Sequence, residues 1–589
     1  MSKKEGNKKR NQKYQAITEL IIALALLVVL NIIASKVFTR IDFTKEKRYS
    51  LSDASKELSQ KLDDVLFVRV YLDGDLNPDF DRLRRSTKEM LDEFRIASDG
   101  MIEYEFVDPL EGKSKKDKAE IIQQLQQEGL QPTEIFDDAD DQSTRKVIVP
   151  GAHFYYKTSQ QYPLSLLKQQ FGQPAQVVLN KSIEALEYEI AATIRKVVDG
   201  GRKKVAFFTG HGELDEKETA DIANELSKSY RLERFDMWMD TANPDFIKQF
   251  AGGLDSIAPE DAGKWLIDTL TRKLNSFDAV VIARPRDRFS EQEKFYIDQY
   301  VMNGGKIIWL IDPLIASLDS IAKYRTIVTG DYDLNLNDML FEYGVRVNPN
   351  LIQDAECNGL RLDGSGRIYP WIYDPKVVAK SQHPIVKNLN PILFRFASSI
   401  DTVGKGGIKK KVLLSSSLYS RPVNNPVEIS FDIVAKPIPP KLLNKPEQPL
   451  AVLLEGNFTS VFKNRRRNAE QTINFREKSP KTSMIVIGDG DVIRNTISGR
   501  GEIFPLGFDR HTKRMFDNKK FFVNCLDYML DESGLIEVRT KEFEIRPLNK
   551  VKVKAEETYW KTLNMVAPVV AIILFGLING FIRRKRYVK

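Results

Sequence analysis

The sequence predicts an α/β fold in which two or more α/β units are flanked by two transmembrane helices. Three observations carry that prediction. An apolar run of about 20 residues stands near each end, and at about 1.5 Å rise per residue such a run spans the hydrocarbon layer. Between the runs, short β-branched stretches alternate with amphipathic ones, punctuated by Gly, Pro and Asp, which is the order of strand–helix–strand units. The 589 residues also exceed what one hydrophobic core holds, while 42% hydrophobic and 29% charged residues belong to a chain that folds mostly in water.

Residues 17–38 read ITELIIALALLVVLNIIASKVF. That run is longer than the apolar region of a cleavable signal peptide needs, and Ala34-Ser35 leads into Lys36 without an A-x-A site, so it reads as an uncleaved anchor. The second run, Leu563 to Ile582, reads LNMVAPVVAIILFGLINGFI, giving a membrane helix over 562–582. Pro568 near its start is tolerable in lipid, and Tyr559 and Trp560 just ahead of it suit an aromatic interface belt. Gly576 and Gly580 form a G-x-x-x-G pair on one helical face where a partner helix could pack closely; chance or simple bundle packing accounts for it equally, since glycine is common in such helices.

The net charge of +8 and pI near 9.0 are properties of the ends. The basic tail 1–16 carries Lys3, Lys4, Lys8, Lys9, Arg10 and Lys13 against Glu5, for +5. The tail 583–589 carries Arg583, Arg584, Lys585, Arg586 and Lys589, for another +5, so removing the +10 of both tails leaves −2 for the middle. Such flanking charge reads as topology, not as a nucleic-acid footprint. Both termini are expected in the cytoplasm of a bacterial inner membrane, with the bulk of the chain periplasmic. Two helices are too few to enclose a transport path, so any transport role requires other membrane subunits.

Along the exported region, a first α/β domain is expected over 39–199. Ser52 is an N-cap for a short helix starting at Asp53, and a strand follows at Val65–Leu72. A helix is expected over Asp79–Ala97, then a strand at Ile102–Val107 stopped by Asp108-Pro109. Residues 114–128 read as a polar helix, Lys146–Val149 and Phe154–Lys157 as a hairpin around Pro150-Gly151, and Ser182–Val198 as the closing helix. Gly200-Gly201 marks a boundary to a second domain over 200–534. There Lys204–Thr209 is a buried-type strand, followed by a helix Glu216–Ser229, a strand Asp278–Ala283, a helix capped by Ser290 and ended by Gly304-Gly305, and a strand Lys306–Ile311. That succession is a right-handed parallel crossover in a sheet covered on both faces. Further strands fall at Lys411–Leu414, Ala451–Glu455 and Met484–Ile487, with a last helix at Asp517–Leu530. Seven prolines between Arg421 and Leu450 read as an extended connector, and 535–561 as a β stalk.

Catalytic signals are sparse. No G-x-x-x-x-G-K-[ST] loop is present, so ATP would have to be bound by another subunit. Thr209-Gly210-His211-Gly212-Glu213 follows a strand, where open α/β sheets place ligand loops; His211 and Glu213 there are a candidate base and partner, or an ordinary glycine turn. Gly488-Asp489-Gly490-Asp491 follows another strand; Asp489 and Asp491 there are candidate ligand contacts for a hard cation, or strand-end turn residues. Cys357 and Cys525 lack the strained strand-to-helix turn of a nucleophile, and Cys525 sits in a core-type helical pattern. With no CxxC and four scattered histidines, no metal site, cofactor or disulfide scaffold is expected. Arg465-Arg466-Arg467 reads as a solvated loop or a contact for an anionic partner.

The joint order of Asp42-Phe43-Thr44, Arg48-Tyr49-Ser50-Leu51-Ser52, Thr209–Glu213, Ile297-Asp298-Gln299-Tyr300-Val301 with Gly304-Gly305, His383-Pro384-Ile385 and Ile487–Asp491 resembles the gliding-motility-associated ABC transporter component GldG over essentially the whole chain. The resemblance implies a non-catalytic auxiliary, substrate- or partner-binding subunit that works with a separate ABC ATPase and a polytopic permease. It also implies a glutamine-amidotransferase-like doubly wound sheet in 200–534, without the catalytic cysteine of true amidotransferases. Binding is then expected near His211, Glu213, Asp489 and Asp491, of a small ligand or an envelope protein. The rival readings are an envelope-anchored hydrolase or transferase using those same residues, and a ligand-free scaffold.

Overall fold

The computed structural model describes residues 50–137, 144–167, 175–198, 203–237, 262–362, 366–387, 389–404, 407–434, 438–465, 475–531, 534 and 556–587, with scattered positions between 18 and 31. The basic tail 1–16, the Gly200-Gly201 boundary and nearly all of the stalk 535–561 lie outside the described residues. Of the first apolar run, the described positions, Leu24–Val29 among them, are helical and exposed.

The first unit is a four-stranded sheet in the order β2-β1-β5-β6, with β1 at Leu66–Val70, β2 at Ile102–Phe106, β5 at Gly151–Tyr156 and β6 at Thr158–Ser165. β1 and β2 are parallel, joined by the helix Pro78–Ala97, whose start is set by Asn77: its side chain accepts from Phe80 N and Pro78 occupies the first turn. Alternate residues Leu66, Val68 and Val70 point into a core shared with Ala152 and Phe154 of β5 and with Leu186, Ile190 and Ile194 of the helix Ala175–Val198. Ser52 caps the helix Asp53–Ser59, accepting from Ser55 N.

The expected hairpin around Pro150-Gly151 is not formed. β5 uses both its edges, pairing with β1 and with β6, because only that placement buries Ala152 and Phe154 beside the apolar face of β1. β4, Thr144–Ile148, pairs instead with β3, Thr133–Asp137, a segment without a strong strand pattern of its own.

The central sheet has seven strands, in the order Ile408–Ser415, Pro449–Thr459, Lys478–Ile487, β10 (Ile307–Leu310), β9 (Ala279–Ala283), β7 (Lys204–Thr209) and β8 (Arg231–Asp236). From Lys478–Ile487 through β8 the strands are parallel; the two at the other edge run antiparallel. The sheet is therefore mainly but not wholly parallel. Its strands read as continuous apolar runs because both faces are covered. Val205, Phe207, Ile308, Leu310, Ile485 and Ile487 pack under the helices Ala220–Ser227 and Asn518–Leu530. Ala206, Phe208, Ile307, Trp309, Met484 and Val486 pack under Ala262–Asn275, Glu291–Met302 and Asn337–Tyr343.

Between β10 and Ile408–Ser415 the chain builds a smaller β-rich insertion around Trp371, Tyr373, Leu351 and Ile429. It recruits part of the proline-rich stretch, which is more than a connector: Ser420–Asn424 pairs with Asn350–Asp354, and Glu428–Ser430 with Thr326–Val328. Pro422 is accommodated because its strand belongs to a two-stranded ladder with a free edge.

The C-terminal residues form a separate unit. The helix Glu557–Tyr587 includes an apolar span, Glu557–Ile582, of 26 residues with mean hydropathy 2.4 and no buried side chain. Gly576 and Gly580 lie on it with open space where a side chain would project.

Candidate functional site

Each parallel strand of the central sheet ends in a polar residue or is followed by one within two residues, and these ends lie side by side. After β7, Gly210 and Gly212 take φ of +115° and +71°, conformations that favour glycine. They fold the loop so that the His211 amide donates to Glu213 Oε2 at 2.7 Å, while Arg286 and Asp287 amides donate to the His211 carbonyl at 2.7 and 3.0 Å. The His211 ring is buried, stacked on Phe289 with centroids 3.9 Å apart, and its Nε2 lies 3.1 Å from Glu293 Oε1. Its Nδ1 is 3.7 Å from Glu213 Oε1, too far for a hydrogen bond. Burial works against the imidazolium, but the Glu293 hydrogen bond and the charges of Glu213 and Glu293 outweigh it and raise the His211 pKa. Burial likewise raises Glu213. His211 and Glu213 are thus brought together with a third group, Glu293, in a closed internal network.

The second sequence-derived pair sits three strands away, with β9 and β10 between. Asp489 is fully buried and accepts from Asp491 N at 2.7 Å and from Arg395 N at 2.6 Å. Burial first, then Asp312 and Asp491, hold its pKa well above the usual carboxylate range. Asp312, directly beyond β10, accepts from Gly490 N at 2.6 Å and from Arg284 Nε at 3.0 Å, and burial with Asp491 pushes it up to about 6. Arg284, directly beyond β9, also places Nη1 3.0 Å from Asp491 Oδ1. A β-carbon at residue 490 would lie 2.5 Å from Arg284 Cγ, so only glycine lets this ion pair form beneath the loop. Arg494 extends the network to Glu218 at 2.9 Å.

The two pairs lie at the same edge of the sheet, but among the described residues no hydrogen bond or ion pair joins one pair to the other. The residues sequence reasoning missed are Arg284 and Asp312, and with them Asp374, Arg395 and Asp509 from the insertion and the last loops. Arg284 and Asp312 carried a readable signal, being the first polar residue after an apolar strand. Among the described residues, no group of three His, Cys, Asp or Glu could hold a metal ion. Both cysteines are free and buried, Cys357 on a strand rather than in a loop, with its thiol pushed up to about 11 by burial. Arg465 is not simply solvated: it pairs with Glu291 at 2.9 Å and Asp338 at 2.5 Å. Surface grooves of about 490 Å³, beside Arg95 and Tyr104, and about 360 Å³, beside Lys380 and Lys411, lie away from these strand ends.

A doubly covered, mainly parallel sheet, strand-end charges satisfied largely within the fold and one long apolar helix define a membrane-associated α/β protein. The chain belongs to the family described as an ABC-type uncharacterized transport system, which matches residues 202–525. That description implies a transport system with further components and an auxiliary role. A domain of unknown function matches residues 45–155. A protein of Borreliella burgdorferi is 22% identical over 584 residues, covering 97% of this chain and 99% of its own. The mmIFT52 N-terminal domain aligns at 13% identity over 56% of this chain and 97% of its own; its TM-score of 0.29 carries no argument.

Proposed function

We propose that this chain is a non-catalytic, substrate- or partner-binding subunit of an ABC-type membrane complex, anchored at both ends with its α/β units on the periplasmic side. The observation that carries the reading is the pairing of family membership with a C-terminal helix long and apolar enough to cross a membrane. One or two spans are too few to enclose a translocation path, and no phosphate-binding loop stands in the sequence, so a separate ATPase and a polytopic permease complete the system. The resemblance to GldG extends the role to gliding motility and the central sheet to an amidotransferase-like fold. Binding would use the strand-end loops around His211, Glu213, Asp489 and Asp491.

The engagement of these side chains favours binding over hydrolysis. A general base needs reach to a substrate proton, whereas the His211 ring lies between Phe289 and two glutamates, and Asp489 is saturated by backbone donors. Purification of the full chain in mild detergent tests the reading. Recovery of an ATP-binding subunit and a multi-span protein is expected; recovery of envelope structural proteins alone would replace it with the scaffold.

A further inference from the structure

Beside the Asp312–Asp491 network lies a second group of acids with a different character. Asp374, on the strand Tyr369–Val377, has a side chain only 1% exposed, and neither carboxylate oxygen has a hydrogen-bond partner. Arg395 Nε stands 3.9 Å from Asp374 Oδ2, and Arg395 Nη2 stands 3.8 Å from Asp509 Oδ1, an oxygen that also lacks a hydrogen bond. Both separations exceed hydrogen-bonding range. The Arg395 side chain is 29% exposed and those of Asp374 and Asp509 1%, so a partly exposed arginine stands over two buried acids without hydrogen-bonding to either.

The charge balance points the same way. Asp312 and Asp491 pair with Arg284, Asp374 and Asp509 with Arg395 alone, and Arg494 is shared between Asp491 and Glu218; Asp489 is met by backbone amides, and only the second oxygen of Asp509 has hydrogen bonds, from Thr512 N and Oγ1 at 2.7 Å. Buried carboxylates in such excess are costly unless protonated or met by a cation. Burial, together with Asp509 and Asp491, pushes Asp374 up to about 7, against the pull of Arg395.

We propose that the position of the Arg395 guanidinium, beside the buried carboxylates of Asp374 and Asp509, binds a small organic cation bearing an ammonium or guanidinium group. The cation displaces Arg395 and donates the hydrogen bonds that the Asp374 and Asp509 oxygens lack. An ammonium brings three donors and a guanidinium five, against three open oxygens. Water could bond the same atoms but would leave their charge uncompensated. Because no three acids converge on one point, the geometry suits an extended donor group better than a bare metal ion. The site names a ligand class for the binding subunit and takes its biological role, though not its chemistry, from that reading.

The test is calorimetric titration of the full-length protein in detergent with agmatine, which carries both donor groups, and with calcium chloride as a mineral control. Saturable agmatine binding is expected, weakened at least roughly tenfold by Asp374→Asn and strengthened by Arg395→Gln, which removes the resident competitor. Asp374→Asn keeps the side chain's shape and removes a buried acid that makes no hydrogen bond, so it should fold; an unchanged melting profile checks this. Absence of saturable agmatine binding, equal affinity in both variants and wild type, or equally tight calcium binding overturns the proposal. Agmatine binding without an associated ATPase would sink the transport-subunit reading alone, and the reverse result would sink this site alone.

Discussion

His211 shows how a residue that looks catalytic becomes structural through its surroundings. Its two ring nitrogens face Glu293 and Glu213, so the fold favours the charged ring, although burial opposes it. A histidine whose pKa rises on folding stabilises the native state fully below its unfolded value, near 6.5, and loses that contribution as pH climbs through the raised folded value. Glu213, also raised, acts in the same direction, since its protonated form is favoured by folding. His211→Gln is therefore expected to lower the melting temperature more at pH 6 than at pH 8.5. Thermal melts at the two pH values check it; an equal loss at both would mean that stacking on Phe289, not charge, is what the ring supplies.

At the scale of elements, the helix Glu291–Met302 is the best case of local signals agreeing with tertiary ones. Ser290 Oγ accepts from Glu293 N at 3.3 Å, and Glu293 Oε2 accepts from Ser290 N at 2.7 Å, closing a capping box. The other Glu293 oxygen holds His211, so the cap also carries the β7 loop. Ser290→Ala should cost about 0.5–2 kcal/mol, the usual loss for a cap, with the His211 resonance moving in NMR spectra. An unmoved His211 would show that the loop does not depend on the cap. Helix caps such as Ser52 and Ser290, the Gly304-Gly305 stop and the apolar strands of the central sheet were legible because their physics is local. The pairing of β3 with β4 was not, since the partner of a weak strand is decided by which edges the stronger strands leave open. The insertion hid for the same reason: Pro422 reads as connector until Asn350–Asp354 supplies a partner for its strand. In the site, Asp489 and Asp491 announced themselves through glycine spacing, whereas Asp374 and Arg395, 21 residues apart, are joined by Asp509 from more than a hundred residues further along the chain.

For the whole molecule, the first unit and the central sheet are tied at one seam. Tyr188 on the helix Ala175–Val198 and Tyr230 ahead of β8 both donate to Asp527, at 3.1 and 2.6 Å, while Arg195 pairs with Asp531 at 3.1 Å. The last helix of the sheet thus fastens onto the helix that closes the first unit, and it is also the last described helix before the C-terminal unit. A ligand-dependent signal to a membrane partner would have this seam as its shortest route along the chain. The proposed topology predicts, from charge, which side of the membrane the seam occupies. Moving clusters of Lys and Arg across a bilayer is disfavoured, so Lys3–Lys13 and Arg583–Lys589 should stay in the cytoplasm and the region between should be exported. Protease added to intact spheroplasts is then expected to cleave the region between residues 50 and 531, and the same protease added to inverted vesicles to leave it whole. Protection in spheroplasts with digestion in inverted vesicles would place the α/β units in the cytoplasm, where a periplasmic binding role cannot operate.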